Sequence, residues 1–161
     1  MPGAVHDFLA ADHARLDALL HRSDADPAAI DGDAYAEFRA GLLRHIAMEE
    51  KVLLPEARRL RGGEPLPIAK QLKADHAALA SLLIPSPTRE LVATIRALLA
   101  EHNPLEEDST GMYAACDALL GGEADALCAK LAAVPPVRMS EHLDEPRIHE
   151  HIARMLSARR A

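Results

Sequence analysis

Tryptophan is absent from this chain of 161 residues, and two phenylalanines and two tyrosines make up its aromatic complement. Sheets draw on aromatic and β-branched residues, so this scarcity, beside an abundance of Ala and Leu, argues against strands and predicts an all-α fold. Cysteine is nearly absent too: Cys116 and Cys128 share no Cys-x-x-Cys spacing and read as buried thiols, which sets aside a disulfide, an iron–sulfur cluster or a thiolate zinc site. Positive charge is in deficit, with 18 Lys and Arg against 25 Asp and Glu, so no face suited to nucleic acid is expected. No run approaches the roughly twenty apolar residues that cross a bilayer, and Met1 to Asp7 lack the charged start and apolar stretch of an export signal. The chain reads as cytoplasmic, with no membrane partner.

What is present is apolar periodicity. Val5, Phe8, Leu9, Leu16, Leu19 and Leu20 recur at three- and four-residue intervals and predict a helix from about 4 to 22. A second helix, capped by Asp33, carries Tyr35, Phe38, Leu42, His45, Glu49, Val52 and Leu53 and stops near Gly62-Gly63, with Pro55 bending its last turns beyond His45 and Glu49. Pro65 and Pro67 suit the first turn of a third helix bearing Leu72, His76 and Leu79, and Ser86-Pro87 caps and opens a fourth bearing Leu91, Ile95, Leu98 and His102. Short loops make successive helices antiparallel, which predicts an up-down-up-down four-helix bundle over 1–110. The segment 111–161 reads as an extension of short C-terminal helices, at about 112–120, 123–133 and 145–159, packed on the same domain.

Superimposed on this pattern is a repeat. Asp12-His13-x-x-Leu16 with His45-x-x-x-Glu49-Glu50 is matched by Asp75-His76-x-x-Leu79 with His102-x-x-x-Glu106-Glu107. Residues four apart on a helix share one face, so His45 with Glu49 and His102 with Glu106 can each reach one metal. A carboxylate or imidazole inside a bundle is costly without a partner, and a metal ion removes that cost. Imidazole with carboxylate oxygen suits iron, manganese or zinc. Asp12 and Asp75 lie about 100° around the helix from the adjacent His; they read as solvated surface groups, the alternative being a hydrogen bond to an imidazole of another helix.

The paired elements resemble the hemerythrin-like family, also called the HHE cation-binding domain, over about residues 4 to 108. The resemblance implies two non-haem iron ions, His13 and His45 on one, His76 and His102 on the other, with Glu49 and Glu106 bridging. Members use either the fourth or the fifth residue after the His, which leaves Glu107 and Glu50 as second choices; Pro104, by removing a backbone donor, would favour Glu107 if it produced a π bulge. Hemerythrins proper carry a further His where this chain has Leu72, so the resemblance implies a four-His set with one opened coordination position and weighs against reversible oxygen carriage. Asp108-Ser109-Thr110-Gly111 interrupts the apolar turn usual in the family and would shift Tyr113 away from the metals.

Ferritin-like dimetal bundles place Glu first in Glu-x-x-His, the reverse of the order here. The function expected is binding or sensing of oxygen, nitric oxide, peroxide or iron; the alternatives are an oxidoreductase acting on peroxide or nitric oxide and an iron storage or delivery protein with a helical partner. No acid, base or cofactor loop beyond the ligands is evident, which favours binding over catalysis. His6, His21 and the tail residues His142, His149 and His151 are read as packing or surface histidines, and Phe8, Phe38, Met48 and Met112 as core.

Overall fold

The computed structural model describes residues 1–161, and every regular element in it is helical. Helix α1 spans Ala4–Ser23, α2 Gly32–Met48, α3 Leu54–Leu60, α4 Ala69–Leu82, α5 Arg89–Glu107, α6 Met112–Leu120, α7 Ala124–Ala132 and α8 Pro146–Ala158. No helix is long and apolar enough to cross a membrane. Two caps differ from expectation. Asp31, not Asp33, accepts from the Ala34 amide at 3.0 Å, and Thr88, not Ser86, accepts from Leu91 at 3.1 Å. In each case the side chain must sit three residues before the free amide it satisfies.

The second helix is interrupted earlier than expected. Residues Glu49–Leu53 form a π-helical turn between α2 and α3, its end marked by the Leu54 amide bonding to the Glu49 carbonyl. The irregularity therefore begins at the inward carboxylate and precedes Pro55, which cannot donate a bond of its own. On α5 the reverse holds: the helix stays regular through Pro104 to Glu107, and the π bulge that would have favoured Glu107 is absent.

α1 packs on α2, α4 on α5 and α8 on α4, while α6 lies against both α1 and α5. Two hydrophobic clusters fill the interior. One gathers Val5, Leu9, Met48, Leu53, Leu72 and Tyr113, the other Leu16, Leu20, Phe38, Leu79, Ile95 and Ile152. Between Leu9 and Leu16 on α1 lies His13, and between Leu72 and Leu79 on α4 lies His76, both buried. A polar layer thus separates two hydrocarbon cores.

Two close approaches place α6 over this layer. The Asp117 carboxylate accepts from the Val5 and His6 amides, both at 3.0 Å, and so caps α1 from a distant helix. At Gly111 an added Cβ would lie 2.7 Å from the Glu106 carbonyl oxygen, so only glycine lets the chain fold back so tightly over the end of α5.

Candidate metal centre

Six side chains of the repeated pattern meet in the polar layer: His13, His45, Glu49, His76, His102 and Glu106, all of them buried. Their inward atoms are the four Nε2 nitrogens and the two carboxylates. His45 Nε2 lies 3.1 Å from Glu49 Oε1 and His102 Nε2 lies 2.8 Å from Glu106 Oε1, the two i, i+4 pairs anticipated from helix geometry. The halves also cross. His76 Nε2 is 3.1 Å from Glu49 Oε2, and His13 Nε2 is 3.2 Å from Glu106 Oε2. The donors divide into two groups compact enough to hold an ion, His13, His45, Glu49 and Glu106 in one and His76, His102 and Glu106 in the other, so Glu106 is common to both.

Every imidazole is held from behind by a carboxylate. His45 Nδ1 donates to Asp12 at 2.8 Å and His102 Nδ1 to Asp75 at 2.9 Å, each across to a neighbouring helix. His76 Nδ1 lies 3.3 Å from Glu50, and His13 Nδ1 is hydrogen-bonded to Glu107. Asp12 and Asp75 are therefore not simply solvated; they take the alternative role, because neighbouring helices bring an imidazole to each. Glu50 and Glu107 stand behind the imidazoles, outside the inward set. A donating Nδ1–H leaves the Nε2 lone pair free for a cation.

Tyr113 occupies the centre as well, contrary to the expectation from the Asp108–Gly111 insertion. Its hydroxyl donates to Glu49 Oε1 at 2.6 Å, lies 3.1 Å from Glu106 Oε2, and is 3.2 Å from the Nε2 atoms of His13 and His45. The turn that breaks the family pattern is the one that, through Gly111, returns the chain to the site. No local periodicity marks this residue, since its position follows from the fold-back and from the Asp117 cap one turn later.

The electrostatics show what this donor set does without an ion. Burial alone would depress the imidazoles, but Glu49 and Asp12 push His45 up to about 10, Glu106, Glu49 and Glu50 push His76 up to about 11, and Asp75 with Glu106 push His102 up to about 9. Burial alone would raise Glu106; hydrogen bonds from His102, His13 and His76 hold it well below the usual carboxylate range. Burial, reinforced by the facing Glu49 and Glu106, drives the Tyr113 phenol well above its ordinary value, so it stays protonated. Protonated imidazoles supply the positive charge that the buried carboxylates require. A metal cation would supply the same charge at the same place, and Glu49 Oε2, buried and without a hydrogen bond of good geometry, is an acceptor left for it.

A family model for the hemerythrin HHE cation binding domain matches residues 4–114. The chain belongs to the hemerythrin HHE family. That match covers the six inward side chains and Tyr113 together, and the buried His and Glu cluster fits the cation-binding site the family description names. No curated protein and no solved structure matches the chain.

His6 lies at the rim, its Nε2 bonded to the Glu107 carbonyl at 3.0 Å. No cluster of potential ligands forms among His142, His149 and His151. Beside the centre, a cavity of about 270 Å³ is lined by His13, Leu16, Leu20, Leu42, Arg96 and Asn103.

Proposed function

We propose that this hemerythrin-like protein holds two non-haem iron ions and binds or senses a small molecule there: oxygen, nitric oxide or peroxide. His13 and His45 would serve one ion and His76 and His102 the other, with Glu106 and Glu49 between them; manganese or zinc suits the same donors. The observation that carries this reading is the orientation of four imidazoles in one buried layer, each with Nε2 inward and Nδ1 on a carboxylate. A satisfied core histidine needs no such arrangement four times over. The helices bearing these residues, α1, α2, α4 and α5, would run up-down-up-down, with the segment from 111 onward packed on the same metal-binding unit.

Bound iron would supply Lewis acidity and reversible one-electron chemistry. The chain itself orients the imidazoles, keeps water out with the two apolar cores on either side, and holds a proton at Tyr113 Oη beside both central carboxylates. The cavity lined by His13 would give a small molecule a path to the layer.

Anaerobic addition of ferrous iron, followed by metal counting and visible absorption on exposure to oxygen, tests the reading. About two irons per chain with a new charge-transfer band is the expected outcome on the ligand count; no iron retained after gel filtration would sink it. Tyr113 supports a second reading, an oxidoreductase reducing peroxide or nitric oxide, because its hydroxyl, within 3.2 Å of both central carboxylates and of two inward imidazoles, is a hydrogen-bond donor at the centre that the carboxylates do not provide. Sustained consumption of peroxide with a supplied reductant, lost in Tyr113→Phe while two irons remain bound, would establish that reading over simple binding.

A further inference from the structure

The two halves of the centre are not equivalent, and the difference lies in what stands behind the aspartates. In the first half Asp12 receives Arg15, three residues on along α1, at 2.9 Å, on a half-exposed surface. The matching position in the second half is Ala78, which is fully buried and offers no charge. Asp75 is wholly buried, and the cation it lacks locally comes from the far end of the chain: Arg159, at the C-terminus of α8, places Nε 2.8 Å from Asp75 Oδ1. Asp75 Oδ2 meanwhile receives His102 Nδ1 at 2.9 Å, so one carboxylate joins the guanidinium to the imidazole.

The junction is well constrained. Gln71 Nε2 donates to Asp75 Oδ1 at 2.8 Å and to the Arg159 carbonyl at 3.1 Å, and Arg159 Nη1 reaches Glu101 at 3.0 Å. Ile148 and Ile152 of α8 bury themselves in the same cluster as Leu79 and Leu82 of α4. The link from Val134 to α8 carries no regular structure but is itself tied to the bundle, Arg39 Nη1 donating to the Ser140 carbonyl at 2.7 Å and the Leu143 amide to the Ile84 carbonyl at 3.0 Å, so α8 is held at its start by the link and at its end by the Arg159 junction.

We propose that Arg159 is a positioning residue for His102, and that α8 is thereby coupled to occupancy of the His76–His102 half of the centre: an ion there favours docking of α8, and docking favours the ion. This rests on the metal reading above. A cation at His102 Nε2 requires the imidazole neutral, with Nδ1–H fixed on Asp75, and Asp75 is aimed at that proton only while Arg159 and Gln71 occupy its other oxygen. Freed of the guanidinium, Asp75 gains room to turn and His102 loses its fixed orientation. Because linkage is reciprocal, whatever α8 contributes to the ion, the ion returns to α8. The first half has no such connection, since Arg15 belongs to the helix it serves.

The test is hydrogen exchange of residues 146–161 in the full chain, with and without cobalt(II) as an oxygen-stable probe, alongside cobalt counting. In the wild type, loading should slow exchange there by about fivefold or more, the lower end of typical coupling energies. Arg159→Gln should abolish that slowing and weaken one of two cobalt sites about tenfold, the usual effect of losing an outer partner; Arg159→Lys should restore part of it, and Arg15→Gln should leave it intact. Two bound cobalt ions with no change in exchange at 146–161, or equal slowing in Arg159→Gln, would overturn the coupling while leaving the metal reading standing. Failure of cobalt and ferrous iron alike to bind would overturn both.

Discussion

Asp12 on α1 grips Nδ1 of His45 on α2 at 2.8 Å, the same relationship that Asp75 on α4 has with His102 on α5. Glu50 and Glu107 complete the set in the opposite sense, each reaching the imidazole of the other half, His76 and His13 respectively. The repeat visible along the chain is thus a repeat in space, with the two Asp-His helices and the two His-x-x-x-Glu-Glu helices exchanging support. Asp12→Ala removes one of these grips and should weaken metal binding by about tenfold to a hundredfold while leaving the fold intact. Competition with a chelator of known affinity measures this, and an unchanged affinity would deny Asp12 its orienting role.

His45→Ala takes away a donor and the group that neutralises Glu49. Occupancy of at least one ion should be lost, and because bound metal contributes to folding free energy, the melting temperature gained on loading should fall with it. Metal analysis with thermal unfolding checks both. Full wild-type iron content in this variant would contradict the assignment.

The metal-free protein should be most stable between about pH 4.5 and 6.5, the ordinary values of its carboxyl and imidazole groups. Glu49 and Glu106 are depressed in the folded state, so their contribution is complete above that carboxyl value and is lost as pH falls through the folded one. His102, His45 and His76 are raised to about 9, 10 and 11, so their contribution is complete below 6.5 and drains away as pH climbs through those values. Metal binding needs neutral imidazoles and should therefore release protons and tighten over the same alkaline range. Urea unfolding across pH, and calorimetry in buffers of different ionisation enthalpy, read the two effects; binding without proton release would refute the charged state of the metal-free imidazoles.

Gly111→Ala drives a methyl group into the Glu106 and Leu105 carbonyls, 2.7 and 2.8 Å from where its Cβ must sit. The expected cost is about 1–3 kcal/mol, typical of overpacking, and it should fall on α6, displacing Tyr113 from Glu49. A destabilised protein with an altered tyrosine absorption spectrum is the anticipated result. Wild-type stability would mean that the fold-back relaxes without strain.

The inward set was legible because His45 with Glu49 and His102 with Glu106 depend only on the pitch of a helix, which four-residue spacing reports directly. The choice of Glu106 over Glu107 as the inward residue depended on whether Pro104 would deform α5, and the helix carries that proline without changing register. The π turn formed instead at Glu49–Leu53, where no sequence signal beyond the nearby Pro55 announced it. Asp12 and Asp75 could be placed on a helix face but not given a partner, since the partner belongs to another helix. Arg159 was out of reach altogether and Tyr113 was placed away from the metals: one comes from a helix joined by an irregular link, the other arrives through a glycine-enabled reversal of the chain, and neither leaves a periodic trace.

The division of the interior into two hydrocarbon clusters has a bearing on cooperativity. Leu9, Leu53 and Leu72 cannot touch Leu16, Phe38 and Ile95 across the intervening belt of imidazoles and carboxylates, so cohesion between the two ends of the molecule passes through charged groups. An ion pair network of that kind weakens with acid or alkali, whereas coordinate bonds to the same groups tighten toward alkaline pH, where the network drains away. A metal ion held there would then decide whether the two ends melt together or as separate halves.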